Sequence, residues 1–220
     1  MIKKPHLILA ILIIAVSAVY LVGTSSDSQM GVQSKVSHIE ELWSHSGHAD
    51  ATAEAFVHWD EDGEIPSSCS KCHSTPGYVN FIENDGATIT VPTGTTVECQ
   101  ACHSNPETGT LRDHSDVKFP SGTVVDGLGP EALCMECHQG RASGKSVDAS
   151  IEAAGVNDDT PSSRLRFINI HYYAAAATQF GTVVTAGYEY SGKMYDARFA
   201  HVTGYNACNT CHNPHSLHVD

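Results

Sequence analysis

Positive charge is scarce in this chain. Twelve Lys and Arg face 25 Asp and Glu, giving a formal net charge of −13 over 220 residues. Phosphate binding needs clustered cations, so the balance excludes a nucleic-acid partner. Aromatic residues make up only 7%, which leaves little bulk for a conventional apolar core. There are four methionines. Charged residues are 17% and apolar ones 41%, which excludes a disordered polyelectrolyte. A long apolar run occurs once, as the sixteen residues from Leu7 to Val22, interrupted only by Ser17. Lys3 and Lys4 precede it, and a run that short reads as the core of an export signal rather than a full membrane span. No A-x-A cleavage site follows, so residues 1–25 read as a signal peptide or an N-terminal anchor, and 26–37 as a polar linker.

What the chain has instead is cysteine and histidine, 8 and 14 respectively. Every cysteine lies in a C-x-x-C pair, and each pair is followed at once by His. The segments are Cys69 to His73 (CSKCH), Cys99 to His103 (CQACH), Cys134 to His138 (CMECH) and Cys208 to His212 (CNTCH). C-x-x-C-H is the attachment signature of c-type haem. Two thiols add to the two porphyrin vinyl groups, and the adjacent imidazole is thereby set beneath the iron as its proximal ligand. A disulfide framework would not require His after every second Cys. A zinc ribbon repeats C-x-x-C at separations of about 15–20 residues, whereas these motifs start 30, 35 and 74 residues apart. A thioredoxin-like site would need one pair, not four. The cofactor set read from the sequence is four haem c, held by Cys69, Cys72, Cys99, Cys102, Cys134, Cys137, Cys208 and Cys211. His73, His103, His138 and His212 are the proximal iron ligands.

Beyond these and His6, nine histidines remain: His38, His45, His48, His58, His114, His171, His201, His215 and His218. Four irons need at most four distal ligands, and a surplus of this size points to bis-histidine coordination, which closes the iron and suits electron transfer. An enzymatic site needs an open position, and nothing in the sequence calls for one. His48, His171, His201 and His215 are the expected distal ligands, with His58 as a competitor. Ser37-His38-Ile39-Glu40 has the form of a capping box. It opens a helical stretch that resumes after Gly47, on which His48, Thr52, Ala55 and Trp59 share a face. His171 lies beside the Ala174–Ala177 run, where small side chains let a flat ring approach the backbone. His215 follows His212 by three residues and can reach a different iron. His38, His45, His114 and His218 read as solvent-facing. Arg141, Arg164, Arg166 and Arg198 are candidate partners for haem propionates.

Removal of the signal leaves about 195 residues for four macrocycles, too little to bury each in its own core. The expected fold is therefore a multihaem cytochrome c, mostly irregular with short helices and little sheet, in which the haems form the core of one domain over 38–220. The sequence predicts helices near 38–60, 130–139, 147–154 and 168–180, and a strand or hairpin around 86–98. Turns are marked by Asn84-Asp85-Gly86, Pro120-Ser121-Gly122, Gly129-Pro130 and Ser191-Gly192.

Several segments resemble the extracellular tetrahaem cytochromes of the OmcE type, the subunits of cytochrome nanowires. They are Ser46 to Asp50 with His58-Trp59, Cys69 to Tyr78, Pro92 to His103, Leu133 to Ser143, Phe167 to Gly181 and Gly187 to His215. The resemblance implies bis-His haems in a continuous chain of stacked and T-shaped pairs. It also implies a head-to-tail polymer of identical subunits in which one iron takes its distal histidine from the neighbour, with His215 and His48 as suspects. The leading expectation is a non-enzymatic conductor, exported to the cell surface or beyond, passing electrons to other redox proteins or external acceptors. The alternatives are a monomeric periplasmic or membrane-anchored tetrahaem carrier and, behind it, a multihaem reductase.

Overall fold

The computed structural model describes residues 31, 33–199 and 207–219. The expected export segment, part of the polar linker and His201 lie outside the described residues. Turns and irregular loops dominate, joined by short helices and two-stranded ladders.

Helix α1 covers 33–44. Ser37 lies inside it, and its hydroxyl donates to the Gln33 carbonyl at 2.9 Å, so the expected capping box at Ser37 does not form. The expected helix over 38–60 is likewise broken. Residues 46–53 are turns, and Asp50 closes an Asx turn by accepting from the Thr52 N–H and hydroxyl at 3.0 and 2.7 Å. Only α2, Glu54–Val57, is helical beyond them.

Helices α3 (Ser67–His73) and α4 (Thr75–Glu83) meet at Ser74, whose extended backbone (φ −159°) ends one and caps the other. The Ser74 hydroxyl accepts from the Gly77 N–H at 3.0 Å, and Pro76 occupies the first turn. Gly77 lies directly on α3, where a Cβ would stand 2.3 Å from the Ser70 carbonyl oxygen. The expected turn at Asn84-Asp85-Gly86 ends α4, with Asp85 and Gly86 both at positive φ.

Of the strand or hairpin expected around 86–98, the strand forms: β2 (Val91–Pro92) pairs antiparallel with β1 (Glu64–Ile65), far back in the chain, rather than with a neighbour in a hairpin. Two hairpins arise elsewhere, β3 (His103–Asn105) with β4 (Thr110–Leu111) and β5 (Val117–Lys118) with β6 (Val124–Val125). Gly122, in the expected Pro120-Ser121-Gly122 turn, has φ +85° and closes the second.

Helix α5 is Cys99–Cys102 and α6 is Glu131–His138, the latter as expected. Helix α7, Gly144–Ala154, begins before the expected 147, where Ser146 accepts from the Ser143 N–H at 3.1 Å. It ends on Gly155 in the left-handed region. Helix α8 is Ala175–Phe180, half the expected length. Residues 167–174 are not helical, and two of their carbonyls bond outward: Ile170 accepts from the Arg141 N–H at 2.7 Å, and Tyr173 from His138 at 2.9 Å.

Two small apolar clusters flank α6. One joins Val117, Phe119, Ala132, Met135, Ala176, Phe180 and Val184; the other joins Tyr78, Ala101 and Leu133. Large apolar side chains stay outside them, Phe167 at 91% and Met194 at 98% exposure. The protein alone offers little core.

Candidate haem sites

A helical turn brings the two cysteines of C-x-x-C to one side and carries the next residue past them. Helices α3 and α6 each contain a whole motif. Helix α5 ends at Cys102 and His103 opens β3, while a 3-10 turn over Cys208–Thr210 leads to His212, which bridges to Val219. All eight cysteines are free of disulfides.

The four motifs meet at α6. The Cys72 and Cys137 thiols hydrogen-bond to each other. The arrangement is reciprocal: Cys72 Sγ reaches the Glu136 carbonyl and Cys137 Sγ the Lys71 carbonyl, each at 3.8 Å. Cys134 hydrogen-bonds with Cys208, and the Cys208 N–H donates to the Glu131 carboxylate. Tyr78, buried beside the second motif's Ala101, donates to the Leu133 carbonyl at 2.7 Å.

The histidines show a more specific pattern. His73 faces His171 with ring centroids 5.9 Å apart, His103 faces His215 at 6.1 Å, and His138 faces His48 at 6.3 Å. A metal–imidazole bond of about 2.0–2.1 Å, plus roughly 1.1 Å from nitrogen to ring centre on each side, separates two trans ligands by about 6.3 Å. Each pair thus joins a C-x-x-C-H histidine to a distant one across a gap the width of one iron. The interplanar angles differ: 79° for His73–His171, 36° for His48–His138 and 9° for His103–His215.

Backbone carbonyls orient these rings. Nδ1 of His73 donates to Ala55 O at 2.8 Å, and Nδ1 of His138 to Tyr173 O at 2.9 Å, which leaves Nε2 of each for a metal. His103 Nδ1 is buried without a protein partner. Two of the opposing histidines sit on Asx turns. Asn169 Oδ1 accepts from the His171 N–H at 2.9 Å, and Asn213 Oδ1 from the His215 N–H at 3.0 Å. His171 itself has φ +90°, a conformation a β-carbon resists, and the turn holds it there. This N-x-H pattern is readable in the sequence, and the sequence reading missed it. Burial lowers His48 to about 4, with His138 adding to the effect. Burial is also the main cause that lowers His73, His171 and His215. At neutral pH these rings are neutral, the form that binds iron.

The other histidines are placed differently. His58, the expected competitor, donates from Nδ1 to the Glu54 carboxylate at 2.9 Å and packs edge-on against Trp59 at 4.7 Å. Trp59 in turn packs on His73 at 5.1 Å, so an indole lies between His58 and the nearest motif histidine. The shared helical face proposed for His48 does not exist, since His48 sits in the turns before α2. His38, His45 and His218 are exposed. His114 is not simply solvent-facing, because its Nε2 lies 3.0 Å from the buried Glu136 carboxylate. Among the described residues no histidine ring faces His212. Its Nδ1 lies 3.5 Å from the Leu217 carbonyl.

Of the four arginines considered, Arg141 lies closest to a paired site: its charge lowers both His73 and His171. Arg198 stacks on Phe180 at 4.6 Å, and Arg166 donates to the Ser163 carbonyl. Met135 is packed in the core and takes no part in any ring pair.

These residues fit haem c: thiols grouped for thioether bonds, neutral imidazoles in opposed pairs, and a gap sized for iron. Among the described residues no helix is long and apolar enough to cross a membrane. No protein-family model matches the chain, and no solved structure matches it. The chain is similar to the C-type polyheme cytochrome OmcB of Geobacter sulfurreducens, in two strains, at 30% identity over 217 residues. That alignment covers 76% of this chain and 28% of the relative. It is also similar to the C-type polyheme cytochrome OmcC of the same species, at 29% identity over 185 residues, covering 68% of this chain and 23% of the relative. The chain therefore spans less than a third of the length of either curated relative. The expected OmcE type is not singled out by these comparisons; what fold and similarity together support is the wider family of multihaem c-type cytochromes, whose chemistry is electron transfer on haem c.

Proposed function

We propose that the chain carries four haem c groups and works as a non-enzymatic electron conductor, the subunit of an extracellular filament. The observation that carries the reading is the set of three histidine pairs, each set across an iron-sized gap and each containing a C-x-x-C-H histidine. When bound, the groups accept and pass on single electrons.

The protein residues do the rest. The eight cysteines anchor the rings covalently, so the cofactors are not lost outside the cell. His73 with His171, His103 with His215, and His138 with His48 would hold three of the haems, and ligation by both rings of a pair would leave no position open to a substrate. The contacts of Cys72 with Cys137 and of Cys134 with Cys208 hold neighbouring attachment points together, and tunnelling falls steeply with distance. The ring pairs favour reading His48 and His215, the suspects for crossing between subunits, as ligands within their own chain. His212 would hold the fourth haem, with His201 or a histidine of the next copy as the second ligand, and a ligand given by the next copy would join subunits in a polymer.

Electron microscopy of the purified protein at moderate concentration tests the filament. Continuous fibres are expected, and discrete particles alone would favour the monomeric carrier. A wholly low-spin spectrum is expected as well, and a five-coordinate, high-spin haem would favour a reductase.

A further inference from the structure

Between residues 169 and 174 the chain lies back against the end of α6. Asn169 Oδ1 accepts from the His171 N–H at 2.9 Å, and two residues in the left-handed region follow, His171 at φ +90° and Tyr173 at φ +54°. Backbone of this kind persists where its surroundings fix it. The end of the third C-x-x-C-H motif supplies fixing contacts. His138 donates from Nδ1 to the Tyr173 carbonyl at 2.9 Å, and the Arg141 N–H donates to the Ile170 carbonyl at 2.7 Å. Gly140 lies between them at φ +84°, so close that a Cβ would stand 2.8 Å from the Ile170 carbonyl oxygen and 3.4 Å from the Ala174 Cβ. The Tyr173 carbonyl also accepts from the Ala175 N–H at 2.7 Å, which ties the turn to the start of α8.

The backbone of 171–173 thus joins two different ring pairs. At one end His171 faces His73 at 5.9 Å. At the other the Tyr173 carbonyl orients the ring of His138, which faces His48 at 6.3 Å. The intervening side chains point away from this link, Tyr172 being 73% and Tyr173 85% exposed. The remaining rings are set by other segments: His73 donates to Ala55 O, and His215 of the third pair has its own turn on Asn213.

We propose that residues 169–173 form one positioning segment shared by two haems, with Asn169 as its positioning residue. Asn169 fixes the plane of His171 at one iron. Through the backbone that carries the Tyr173 carbonyl, it also fixes the plane of His138 at the other. The inference rests on the haem reading above. Groups that orient a ligating imidazole tune the metal behind it, so a single turn adjusts two irons together.

Frozen-solution EPR of the haem-loaded protein tests this, because the ring pairs differ in interplanar angle: 79° for His73–His171, 36° for His48–His138 and 9° for His103–His215. In Asn169→Ala the signals of the 79° and 36° pairs both shift, while the 9° signal and the haem content match the wild type. Asn169→Asp keeps the accepting oxygen and restores both signals. Gly140→Ala approaches from the other motif, forcing Ile170 away, and shifts the signal of the 79° pair. Tyr173→Gly retains the carbonyl and takes positive φ without strain, so all three signals stay in place. A shift confined to the 79° pair in Asn169→Ala, no restoration by Asn169→Asp, an unmoved 79° signal in Gly140→Ala, or displaced signals in Tyr173→Gly would overturn the proposal and leave the haem reading intact. A chain without haem in its optical spectrum would overturn both.

Discussion

His73 and His171 face each other at 5.9 Å with their planes 79° apart, although almost a hundred residues separate them in sequence. The first belongs to an attachment motif on α3, and the second is held at positive φ by Asn169 before α8. If one iron lies between them, His171→Ala opens that iron alone. About one haem in four should turn high-spin, and added imidazole should restore the low-spin absorption. A spectrum unchanged by the substitution would remove His171 from the ligand set.

The three ring pairs differ in twist, and the electronic structure of low-spin iron follows the angle between its axial ligand planes. Near-perpendicular planes give a strongly anisotropic signal and parallel planes a rhombic one. Frozen-solution EPR of the oxidised protein should therefore show both. His171→Ala should remove the anisotropic component, and His215→Ala the rhombic component that comes from the 9° pair. A single uniform signal would mean that the ring geometry is not that of the ligated state.

Gly77 packs so closely on Ser70 that a methyl group would meet backbone atoms at 2.3 to 2.5 Å. Gly77→Ala should destabilise the folded protein by about 1–3 kcal/mol, the usual range for overpacking against atoms unable to give way. Gly47→Ala meets nothing within 4 Å and should be close to neutral. Chemical unfolding of the two variants side by side checks the contrast.

Lys71→Met would leave the Glu136 carboxylate buried with His114 and Gln139 as its remaining donors. Breaking a fully buried pair costs about 3–5 kcal/mol. Lys71 is partly exposed and two donors stay, so a smaller loss of about 2 kcal/mol is expected. Lys71→Met with Glu136→Gln should recover part of it, because no unpaired charge remains. Unfolding midpoints of the single and double variants measure the coupling.

The attachment motifs were legible in the sequence because they are local: thiols one turn apart and the following imidazole need no tertiary information. The distal partners were legible only as a shortlist. His48, His171 and His215 do face motif histidines, but the reason given for His48, a helical face, fails in the turns around Asp50. The Ala174–Ala177 run signalled a helix reaching back to 168, whereas 167–174 are not helical and bond outward through the Ile170 and Tyr173 carbonyls. Glu136 and His114 were invisible for a related reason. Motif x positions and polar loops look solvent-exposed until α3 and α6 pack against each other. The N-x-H turns at Asn169 and Asn213 were available to a closer reading, since an Asx turn is a two-residue pattern.

Intact-mass spectrometry of the exported polypeptide tests the central claim most directly. Four covalently added haem masses and no alkylatable thiol on any of the eight cysteines are the expected result. A bare polypeptide mass, with those cysteines free or joined in disulfides, would contradict it.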